Sequence, residues 1–209
     1  MKTQRRLYNI AFGLALFTII YNVFEGILAT YLGFEDESLA LFGFGSDSFI
    51  EVISGIGIAF MILRIQKRPE SQRAHFERTA LKITGIAFYI LVLGLTFSAV
   101  YALWSGHTPA TTFWGVIISI SSILVMWILV VWKKKIGHQL HSTPLLADAN
   151  CTKICVYMSV ILLLSSAIYE LTAIQYIDSI GTLGLSYFAF KEGKECFEKV
   201  KGNHYCGCP

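Results

Sequence analysis

Charge is what this chain has least of. Only 15% of its 209 residues are Asp, Glu, Lys or Arg, whereas a domain solvated by water carries about 25%. So sparse a charge excludes a surface that faces water over most of its area. No Lys/Arg block interleaved with aromatics lies outside the segments flanking the apolar runs, so no nucleic-acid partner is expected. The five cysteines lack the spacing of a secreted disulfide framework. The first apolar run, from about Leu7, has no small-residue cleavage site and reads as a retained span rather than a signal peptide.

What is present is apolar length. Hydrophobic residues make up 55% of the chain, and mean hydropathy is +0.59. A bilayer crossing needs roughly 20 mostly apolar residues, and six runs suit it, at about 7–32, 39–65, 80–104, 112–132, 144–171 and 173–190. The expected fold is all-α, a polytopic six-helix transmembrane domain over residues 1–192. A short cytoplasmic tail, 193–209, would follow it. Short connections make sequence neighbours antiparallel and the bundle compact.

Orientation follows from Lys and Arg. In a six-span arrangement 16 of the 17 fall on one side: at the N-terminus, around the second-to-third loop, at Lys133–Lys135, and after the sixth run. The exception is Lys153, inside the fifth run. The opposite loops hold none, and the first of them is acidic (Glu35, Asp36, Glu37). Both termini are therefore expected in the cytoplasm.

An ionisable group within a bilayer costs roughly 2.5 kcal/mol or more, so each requires a reason. Asp47 and Glu51 stand four apart on the second run, in GFGSDSFIEVISG. Cys151 and Cys155 stand four apart on the fifth, in ADANCTKICVYMS. Residues at i and i+4 share a helix face. At 1.5 Å per residue, Asp47 lies about 12 Å and Glu51 about 18 Å below the outer surface. Cys151 and Cys155 lie about 12 and 18 Å above the inner one. Across a core of about 30 Å, Asp47 then levels with Cys155 and Glu51 with Cys151. Two carboxylates and two thiols suit a tetrahedral Zn²⁺-like ion, with the thiolates favouring softer metals. The bland readings are small-residue packing for the cysteines and, with less weight, incidental burial for the carboxylates.

Other residues are accessory candidates. Asp148 is either a gateway ligand or a stabiliser of a helix N-terminus. Lys153 is expected to snorkel or to pair with Glu25 or Asp178. Glu25 and Asp178 themselves would line an outward path or bind protons. Glycines 43, 45, 55 and 57 allow close helix approach. His204, Cys206 and Cys208 form either a weak soft-metal site or an unstructured tail.

At these residues the sequence resembles the cation diffusion facilitator (cation efflux) family of metal transporters. The likeness rests on the six-span layout and on ligand pairs at four-residue spacing on the second and fifth helices. NVFEG, GFGSDSFIEVISG and ADANCTKICVYMS look closest to a short bacterial branch without the C-terminal cytoplasmic domain. The resemblance implies a homodimeric antiporter in a bacterial inner membrane, exporting divalent cations, usually Zn²⁺, in exchange for protons. No enzyme activity and no organic cofactor are expected. Cysteines stand where that family usually has His and Asp, which favours a softer ion. The rivals are a Cu⁺, Cd²⁺ or Hg²⁺ transporter and, in another class, a membrane dithiol redox protein, although the cysteine spacing is not CxxC.

Overall fold

The computed structural model describes residues 2–67, 73–106, 108–140 and 143–201. These form six helices: α1 (Lys2–Glu35), α2 (Leu39–Lys67), α3 (Arg73–Ser105), α4 (Phe113–Gln139), α5 (Thr143–Thr172) and α6 (Ile177–Lys201). No strand occurs among the described residues. The helices form a ring in the order α1, α4, α5, α6, α3, α2, and α2 also reaches inward to touch α5 and α6. Charged side chains on α2 are thereby carried to the middle of the bundle.

The packing is inverted relative to a water-soluble protein. Phe24, Phe34, Leu93, Phe97, Trp104, Leu124 and Leu171 point outward, while Ser119, Ser122, Ser159, Ser165, Ser166 and Thr182 are buried. Small polar residues let membrane helices approach closely and bond across the contact; Ser159 Oγ donates to Ser122 Oγ at 3.1 Å between α5 and α4. The central apolar cluster joins Ala29, Leu41, Phe44, Leu95, Met158, Leu162 and Leu185 from five helices.

Five helices are long and apolar enough to cross a membrane; α6 is not among them. It runs antiparallel to α3, with Thr96 and Ser186 hydroxyls 2.8 Å apart and Tyr89 stacked on Phe197. It therefore accompanies the apolar stretch Gly85–Ser105 along its length. Its polar residues Asp178, Thr182, Ser186 and Glu192 are buried against neighbouring helices, which is why low hydropathy does not bar it from the bundle.

The order of the helices is the expected one; the ends differ. α3, α4 and α6 extend well into charged sequence, α6 to Lys201 rather than to about 190. Hydropathy marks where lipid stops, whereas a helix continues as long as its backbone bonds are made. At the opposite end the connections are tight. Ser38 N–H donates to Gly33 O at 2.9 Å around Glu37, whose φ is 56°, a Schellman-type stop without the usual glycine. The N-terminus of α2 is then capped from another helix: Asp178 accepts from Ser38 Oγ at 2.6 Å and from the Leu39 amide at 2.8 Å. Glu170 does the same for α4, accepting from the Thr112 amide and from Thr111 Oγ1 at 2.7 Å. Exposed amide donors and the positive helix end account for both.

Candidate metal centre

Asp47 and Glu51 lie on the face of α2 turned to α5 and α6, because Gly45 on another face is needed against α1. A Cβ at Gly45 would stand 2.5 Å from the Thr30 amide nitrogen, so α1 and α2 approach backbone to backbone there. Glu51 is held between two helices. Its Oε2 accepts from Asn22 Nδ2 of α1 at 2.7 Å, and its Oε1 accepts from the Cys155 thiol of α5. Asp47 is 2% exposed, and its Oδ1 has no hydrogen-bond partner.

These groups border a cavity of about 40 Å³, also lined by Thr18, Ser54, Asp148, Cys151, Glu192 and Cys196. That exceeds the roughly 10–15 Å³ needed for one water, so a small ion with its ligating atoms fits. Among the described residues no three His, Cys, Asp or Glu side chains already converge on one point. Glu51 and Cys155 bring a carboxylate oxygen and a thiol sulfur together, both of them ligand types of Zn²⁺-like ions.

The pairing of levels differs from the depth expectation by about one turn: Cys155 meets Glu51 rather than Asp47. Glu51 and Cys155 each stand about 18 Å from the start of their helix. The two starts are therefore separated by more than the roughly 30 Å core, and both helix ends protrude from it.

Residues 11–200 match the family described as the cation efflux transmembrane domain. The chain belongs to the cation efflux family. It is thus a multi-pass membrane protein of a metal-cation transporter family, not of an enzyme class.

For a cation efflux protein the accessory residues sort unevenly. Asp148 pairs with Lys133 Nζ at 2.8 Å, and Lys133 also donates to Thr152 Oγ1 at 2.9 Å; this ion pair replaces the helix-end role. Asp178 caps the N-terminus of α2. Glu25 accepts from Tyr21 OH at 2.9 Å and from Ser48 Oγ at 3.2 Å, inside the bundle. Lys153 pairs with neither: its Nζ stands 5.4 Å from the centre of the Tyr157 ring. His204, Cys206 and Cys208 lie outside the described residues.

Four residues escaped the sequence reading. Lys133 is 1% exposed on α4, although the run Lys133–Lys135 looks like a loop. Asn22 carried no charge to flag it. Glu192 and Cys196 were placed beyond the last span, yet both are buried on α6 and line the cavity. Their i, i+4 spacing in KEGKECFEK was the available signal.

Proposed function

We propose that this cation efflux protein exports divalent transition-metal ions, Zn²⁺ foremost, from the cytoplasm, using Asp47 and Glu51 of α2 with Cys151 and Cys155 of α5. The observation that carries the reading is the Glu51–Cys155 contact beside a buried cavity onto which Asp47 presents an unpartnered oxygen. Carboxylate and thiolate are both ligands of Zn²⁺-like ions.

The same atoms supply a proton coupling. A thiol and a carboxylate bind metal only when deprotonated, so ion and proton compete for the Glu51–Cys155 pair. Metal loaded at the cytoplasmic face displaces the proton. A proton arriving from outside displaces the metal. Charge distribution supports cytoplasmic termini, and the family resemblance supports a bacterial inner membrane and a homodimer.

The test is metal uptake into proteoliposomes with imposed pH gradients, together with metal analysis of the purified protein. Asp47→Ala and Cys155→Ala should each lower the metal bound by the purified protein and abolish pH-driven transport. Retention of both properties in both variants overturns the site; transport indifferent to a pH gradient overturns the coupling. Weak Zn²⁺ binding beside strong Cd²⁺ or Cu⁺ binding selects the soft-metal reading, which the two thiols favour.

A further inference from the structure

The cavity has a third wall. Glu192 and Cys196 stand one turn apart on α6 and are 4% exposed each. They line the same space as Asp47, Glu51, Cys151 and Cys155. Glu192 is near enough for its charge to act on both Asp47 and Cys155.

Their level follows from the cap. Asp178 binds the Leu39 amide, and α2 and α6 run parallel from there. At equal rise, Glu192 lies level with about residue 53 of α2 and Cys196 with about residue 57. Cys151 is one turn below Cys155 on α5. All three therefore lie about half a turn to a turn and a half beyond Glu51, toward the end of the bundle that carries the N-terminus. Asp47, whose buried Oδ1 has no hydrogen-bond partner, lines the same cavity. Several carboxylates around one water-excluded space favour a cation among them.

We propose that Glu192 and Cys196 of α6, with Cys151 of α5, form a second cation station on the cytoplasmic side of the Glu51–Cys155 pair. It takes a thiophilic divalent ion such as Zn²⁺ or Cd²⁺ and passes it on by ligand exchange to the Glu51–Cys155 pair. The direction of passage rests on the export reading; the binding itself does not. Each thiol releases its proton to water as its sulfur coordinates the ion.

Cadmium titration of the purified full-length protein, read by thiolate-to-cadmium ultraviolet absorption, tests it. Every variant carries Cys206→Ser and Cys208→Ser, so the tail adds no signal. With Cys151→Ser and Cys155→Ser added, a reduced absorption should remain. It should vanish on further Cys196→Ser, and Glu192→Gln should move its midpoint to higher Cd²⁺. Size-exclusion elution like the parent's confirms that the variants are folded. A parent signal that disappears entirely with Cys151 and Cys155 overturns the α6 station and leaves the α2–α5 site standing. A signal that depends on Cys196 but is indifferent to Cys155→Ser overturns the α2–α5 site and leaves the α6 station. Absence of any signal overturns both.

Discussion

Lys133 of α4 and Asp148 of α5 form a 2.8 Å ion pair in the interior, with 1% and 8% of their side chains exposed. Breaking a buried pair from one side leaves an uncompensated charge, at about 3–5 kcal/mol. Lys133→Met and Asp148→Leu should each lower the unfolding temperature strongly, and the double variant should recover most of the loss. Thermal unfolding in detergent reads the outcome. A double variant as unstable as the sum of the singles would show that the two residues act independently.

Asp178 stabilises a helix end and stands apart from the ion's ligands. Asp178→Ala should destabilise the protein by about 0.5–2 kcal/mol, the usual effect of losing a cap, with Zn²⁺ affinity unchanged. Unfolding and a Zn²⁺ competition titration are run on the same preparation. A large fall in affinity with stability intact would return Asp178 to the ion's path.

Asn22 fixes Glu51 through the 2.7 Å bond to Oε2. Residues that orient a ligand typically contribute 10–100-fold in metal affinity. Asn22→Ala should therefore weaken Zn²⁺ binding by about 10-fold or more, although Asn22 is not proposed as a ligand. Binding equal to that of the parent would mean that Cys155 alone orients the carboxylate.

Gly45 and Gly94 form an internal control. A methyl at Gly45 would press on the Thr30 backbone, whereas one at Gly94 meets nothing within 4 Å. Gly45→Ala should cost about 1–3 kcal/mol through overpacking; Gly94→Ala should be neutral or slightly stabilising. Equal unfolding temperatures for the two would contradict the close α1–α2 approach.

How far these features were legible follows the physics of each signal. Apolar run length announces a membrane helix, so α1 to α5 were readable from it, whereas α6 is too polar to be marked that way. The i, i+4 pairs announced Asp47, Glu51, Cys151 and Cys155, since charge in lipid requires a reason. Register was not readable to better than a turn, because the distance from a helix start to the hydrocarbon boundary leaves no mark on the sequence. Lys133 was misread for a related reason. A run of three lysines signals the cytoplasmic face, but the first of them turns inward to Asp148 on a helix that continues past the boundary. Glu192 and Cys196 fell beyond the last apolar run, where hydropathy has nothing to say about burial against protein.

The thiol–carboxylate contact between Cys155 and Glu51 also bears on leakage. A carrier that must return without cargo has to cross the low-dielectric interior with its ligands, and bare carboxylate and thiolate together would make that return prohibitively uphill. A proton shared between them would remove one of the two negative charges and link α2 to α5. In the proposed antiport, that smaller charge lowers the cost of the return without cargo.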